Sequence, residues 1–131
     1  MTGVFVGTFP DVEIELLSVL VPAFSSYRFV TKLPGSFAGL TVRVHRISGA
    51  NRNLAIDRPI VDVDVFSTTG EADASTAARA IQTALLSYTS KTTTNGVIQR
   101  ATTVSGPRWL PEANTTLIRY GATYEITIRS K

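Results

Sequence analysis

Two carboxylates, Asp62 and Asp64, stand two residues apart in the segment Arg58-Pro-Ile-Val-Asp-Val-Asp-Val-Phe66. On a strand such a pair projects from one face, and paired carboxylates are the residue type that chelates Mg²⁺ or Ca²⁺. A hard cation wants roughly six or more oxygens, yet the nearest further acid, Asp57, lies beyond Pro59. The pair therefore reads as a salt-bridged or solvated face, and no metal is expected. His45 is the only histidine, so neither a two-imidazole metal site nor a well-supported triad is available. No serine sits in a G-x-S-x-G setting, and neither glycine-rich phosphate-loop pattern occurs. With no cysteine there is no disulfide framework and no thiolate ligand. Catalytic residues, a cofactor and enzymatic activity are accordingly not expected. Trp109, the only tryptophan, lies beside Arg108. It reads either as an anchor folded onto the core or as an exposed contact residue, since tryptophan and arginine are enriched at interface hot spots.

The elements that must position these residues are legible from periodicity. Val61, Val63 and Val65 alternate with Asp62 and Asp64, which predicts a strand with one apolar and one acidic face. Beyond the turn Ser67-Thr-Thr-Gly70 the period lengthens. Ala74, Ala77, Ala78, Ile81, Leu85 and Tyr88 recur at steps of three and four, so a helix is predicted over 72–88, with Glu71 and Asp73 suited to its positive N-terminal end. A first helix is predicted over 11–21, with Asp11 as N-cap, an apolar stripe of Val12, Leu16, Leu17, Leu20 and Val21, and Pro22 as its stop. Tyr27–Leu33 reads as a strand ending at the turn Pro34-Gly35. Leu40–Ile47 alternates Leu40, Val42 and Val44 against Thr41, Arg43 and His45, and 48–53 follows as a polar loop. Pairing Leu40–Ile47 with Ile60–Phe66 as a hairpin brings Arg43 and His45 near Asp62 and Asp64. Residues 89–96 read as a polar connection and 97–104 as a weakly patterned strand. Residues 106–114 read as a loop, and 118–129 as the strongest strand, with Ile118, Tyr120, Ala122, Tyr124, Ile126 and Ile128 on one face.

These elements define an α+β fold, a single domain with a mostly antiparallel mixed sheet and two helices packed on one face. Residues 1–10 read as an N-terminal extension, an arm or an edge strand, and 11–131 as the domain. The chain carries a formal charge of +3, but its 13 basic residues are scattered and form no run, so affinity-driven DNA binding is not expected. The apolar stretch Leu16–Phe24 is far too short to span a bilayer, contains a proline and follows Asp11, Glu13 and Glu15, so neither membrane insertion nor secretion is expected.

Two stretches together resemble a known family. Arg58–Phe66 followed by an alanine-rich helix, and Gly106-Pro-Arg-Trp-Leu-Pro111 with the ending Arg119-Tyr-Gly-Ala-Thr-Tyr-Glu-Ile-Thr-Ile-Arg129, are similar to the tail terminator (head–tail joining) proteins of long-tailed bacteriophages, particularly those of actinobacteria. The resemblance covers about residues 11 to 129 in element order. It implies a structural virion protein with no cofactor, a protomer of a hexameric ring that caps the tail tube and stops its growth. The implied partners are further copies of the chain, the major tail tube protein and the neck or head-completion proteins. DNA would pass through the ring without specific binding. The implied location is the head–tail junction of the virion, with assembly in the host cytoplasm. The competing readings are a head-completion or neck connector, a tube-forming tail subunit, and a small enzyme with an unfamiliar site.

A ring closes only where two different surfaces of each subunit are complementary. The candidates are Asp57, Asp62 and Asp64 on one side and Arg43, Arg108 and Arg119 on the other, with Trp109 as anchor. The same charges are equally suited to pairing within one protomer.

Overall fold

The computed structural model describes residues 8–113 and 116–131, so residues 1–7 of the extension expected over 1–10, and the loop residue Asn114, lie outside the described residues. Two helices, α1 (Val12–Ala23) and α2 (Glu71–Ser87), accompany six strands: β1 (Arg28–Val30), β2 (Leu40–Asn51), β3 (Ile56–Ser67), β4 (Lys91–Thr92), β5 (Gly96–Leu110) and β6 (Ile118–Ser130). The strands form one sheet in the order β1-β2-β3-β6-β5-β4, in which only β1 and β2 pair in parallel. The mixed, mostly antiparallel α+β architecture is as expected. Both helices pack on one face, where Val42, Val44, Val61, Val63, Val65, Tyr124, Ile126 and Ile128 form a continuous core with them.

The helices follow their sequence stripes. In α1, Val12, Leu16, Val19 and Leu20 are buried, and the Asp11 carboxylate accepts the Glu13 N–H at 3.0 Å as N-cap. Two expectations for this helix are corrected. Val21 is exposed and Val19 takes its place in the stripe, while Pro22 lies inside the last turn rather than ending the helix before it. A proline one residue from an exposed terminus removes a single intrahelical bond, and the Phe24 N–H still donates to the Leu20 carbonyl at 2.9 Å. In α2 the alanines at 74, 77 and 78 lead into Ile81 and Leu85, all buried as their spacing predicts. Gly70 precedes it at φ +130°, a conformation that side chains disfavour.

The sheet departs from expectation where the chain is irregular. The hairpin register holds, with Arg43 opposite Asp64 and His45 opposite Asp62, but β2 continues to Asn51 and absorbs most of the expected polar loop. A register shift between Arg46 and Ser48 leaves Ile47 as an extra, exposed residue. Strand β5 runs on through Gly106-Pro-Arg-Trp-Leu110, where the sequence predicts a loop. Three register shifts, between Ile98 and Arg100, Thr103 and Ser105, and Ser105 and Arg108, explain its weak alternation, because each extra residue exchanges the faces of those that follow. Strand β4 falls in the expected polar connection, and β1 is shorter than the apolar run that predicts it.

Candidate assembly surfaces

The sheet face away from the helices is organised by one buried carboxylate. Asp64 on β3 is 1% exposed, and its Oδ2 accepts Arg43 Nη2 from β2 at 2.6 Å while its Oδ1 accepts Arg119 Nη2 from β6 at 3.2 Å. Each arginine adds a second contact through Nε, at 3.2 and 3.4 Å, so the carboxylate is gripped from both neighbouring strands. The Arg119 guanidinium also lies 5.8 Å from the centre of the Phe66 ring, and Phe37 covers that ring at 5.2 Å. Gly121, opposite Asp64 on β6, leaves the room this needs. A Cβ there would stand 2.5 Å from Leu110 Cδ1 and 2.9 Å from Asp64 Oδ1.

The remaining candidates are placed individually. Asp62 accepts the Thr123 hydroxyl at 2.6 Å, and His45 lies 3.7 Å from Glu13 instead of turning to Asp62. Asp57 is buried on the helix side, paired with Arg46 at 2.9 Å, and so is separate from the Asp62–Asp64 face. Arg108 donates to Ser105 Oγ at 2.7 Å. The structure thus brings Arg43, Asp64 and Arg119 together within one protomer and satisfies them there. Asp62 and Asp64 turn their oxygens to different partners, and among the described residues no group of three or more metal-ligating side chains converges.

Trp109 is a strand residue, 54% exposed, opposite Tyr120 near the end of β5. β4 covers only Val97 and Ile98 of β5, so Arg100–Leu110 presents an outer edge with no strand partner among the described residues. That edge carries the exposed Val104 and Trp109, and Pro107, which removes one N–H where no ladder needs it. Long open edges with apolar side chains are natural docking strands, and bulges and prolines limit their indiscriminate pairing. Nearby, the Tyr120 hydroxyl donates to Glu71 at 2.9 Å, and this hydrogen bond raises it above the ordinary tyrosine value.

Glu15 escaped the sequence reading. It is 1% exposed on α1 and accepts the Thr93 hydroxyl and the Asn95 N–H, both at 2.6 Å, tying α1 to the β4–β5 turn. Its place at the margin of the apolar stripe, three residues after Val12 and four before Val19, was the available signal. No helix among the described residues is long and apolar enough to cross a membrane.

The sequence matches no family model and no curated protein. Among solved structures the fold is similar to a chain of the virion of a native gene transfer agent particle, with a TM-score of 0.61 over 86% of each chain and 16% identity. At that identity the likeness concerns the fold.

Proposed function

We propose that this protein is a structural subunit of a phage-like virion. Within that role we assign it as a ring-forming tail terminator, which caps the tail tube, stops its growth and offers its other face to the neck or head. The observation that carries the reading is the fold likeness to a virion chain over 86% of both molecules. The resemblance of the 58–66 and 106–129 segments to tail terminators supports the finer role.

In this reading the partners are further copies in a homo-hexameric ring, the major tail tube protein and the neck proteins. The open β5 edge from Val104 to Leu110 forms one half of a head-to-tail contact, with Trp109 as anchor, Arg108 beside it and Asp62 as the acidic contribution of the polar face. Arg43, Asp64, Arg119 and Asp57, being internally paired, shape these surfaces from within. Native mass measurement and electron microscopy of the purified protein, alone and with tail tubes, test the reading. Single closed rings are expected. Trp109→Ala, whose side chain is half exposed, and Asp62→Lys should stay folded and lose the ring. Open tubes, or a chain that stays monomeric even on tail tubes, would refute the terminator role. Rings that persist in both variants would remove Trp109 and Asp62 from the interface.

A further inference from the structure

The thirteen basic residues that look scattered along the chain are partly collected by strand register. Arg100 on β5 lies opposite Thr127 on β6. On the other side of β6, Arg58 falls opposite the same Thr127, between the pairs Asp57–Ile128 and Ile60–Glu125. Two guanidinium stems therefore flank one hydroxyl across two strand spacings, about 10 Å of sheet. Arg52 joins them from the β2–β3 turn. Together with Gln99 these residues line a cleft of about 410 Å³.

The lining is made of hydrogen-bond donors, with no apolar side chain and no carboxylate among the residues that form it. Glu125 engages Arg58 at 3.1 Å, but neither Arg52 nor Arg100 has an ion pair among the described residues. The positive character extends past the cleft at Arg129, on the same face of β6, while Glu125 and Asp62 separate it from the Arg43–Asp64–Arg119 cluster. A protein partner would be met by an apolar centre with a polar rim. A cleft lined only by guanidinium, amide and hydroxyl groups instead fits a repeating oxyanion.

We propose that this arginine cleft binds the phosphodiester backbone of nucleic acid, without regard to sequence. Arg52, Arg58 and Arg100 each neutralise one phosphate, and Gln99 and Thr127 donate to its oxygens. This goes beyond the assembly role and does not depend on ring formation. It also reverses the expectation from sequence, because the cluster exists only in the register of three strands.

The test is fluorescence anisotropy of a labelled 20-base-pair duplex with the full chain at varied NaCl. Three phosphate contacts give a slope of about −2.7 in log affinity per log salt, or about a 40-fold loss between 50 and 200 mM. Arg52→Glu with Arg100→Glu should weaken binding at 50 mM by at least about tenfold and flatten the slope toward about −0.9. Both side chains are exposed, so circular dichroism should show an unchanged fold. Arg79→Glu, on the exposed side of α2, is the control and should change affinity by less than about twofold. Absence of binding at 50 mM, equal losses in the control, or an unaffected double variant overturns the proposal. Because ring formation is read separately by mass, failure here leaves the terminator reading standing, and the reverse also holds.

Discussion

Replacing Asp64 by alanine is the sharpest test of how the polar sheet face is held. In the native protein the carboxylate is 2% exposed at its side chain, while Arg43 and Arg119 are 23% and 27% exposed. Two unit charges about 4 Å apart interact by about 4 kcal/mol at an effective dielectric of about 20. Desolvation of the carboxylate offsets much of the two attractions, so the net worth of the cluster is modest. Breaking it is a different matter, because two guanidinium groups on flanking strands would then face each other without their shared anion. Removing one partner of a buried pair costs about 3–5 kcal/mol. Since both arginines can swing partly into solvent, the lower end of that range, about 3 kcal/mol, is expected. Urea unfolding monitored by circular dichroism should show the midpoint falling at an unchanged slope. Adding Arg43→Met to the Asp64→Ala background should cost less than the same change in the native protein, since its anion is already gone. A loss below about 1 kcal/mol, the scale of an exposed ion pair, would refute the view that strand register and burial make this cluster structural.

Three further outcomes follow from the same geometry. Thr41 is fully buried opposite Phe66 and its hydroxyl has no partner among the described residues, so Thr41→Val should stabilise the fold by about 1 kcal/mol in the same urea assay. Millimolar Mg²⁺ or Ca²⁺ should leave the melting temperature unchanged, because Arg43 and Arg119 occupy Asp64 and Thr123 holds Asp62; a clear rise abolished by Asp62→Asn with Asp64→Asn would contradict this. Burial pushes the Tyr124 hydroxyl up to about 12 from the ordinary 10.0. The folded state therefore holds this proton more tightly, and the stability it contributes is complete below pH 10 and lost between about pH 10 and 12. That difference corresponds to about 3 kcal/mol, which Tyr124→Phe should abolish in alkaline unfolding curves.

What was legible in the sequence is what a single element encodes by its own period. Val61, Val63 and Val65, the stripe from Ala74 to Leu85, and Ala122 to Ile128 each declare a buried face through local spacing and are buried on it, while Ile118 and Tyr120, expected on the same face, are only partly buried. Legibility fails where the chain gains an extra residue. The shifts in β5 exchange its faces three times within fifteen residues, so no single period survives and Trp109 looks like part of a loop. Pro107 strengthens that misreading, since proline argues against a strand unless the strand lies at an edge, and edge position is a property of the whole sheet.

The charged residues make the same point from the other side. Periodicity assigns Asp62, Asp64, Arg43 and Arg119 to one face, but it cannot say which cation stands beside which anion. Register decides that: Arg43 meets Asp64 across β2 and β3, Arg119 reaches it from β6, and the set closes on itself. Complementary charges in a sequence thus have two destinations, a neighbouring strand or a neighbouring subunit, and the nearer one costs less ordering. The charges left for outside partners are those that pair with no opposite charge either directly across or diagonally on the neighbouring strands. Arg100 is one, with Thr127 across from it on β6. Trp109 remains exposed for the parallel reason, since Tyr120 opposite it turns its hydroxyl toward Glu71 and the edge of β5 has no outer strand to cover the indole. Surfaces for assembly are therefore to be sought where the sheet runs out of internal partners, along β5 beyond Ile98.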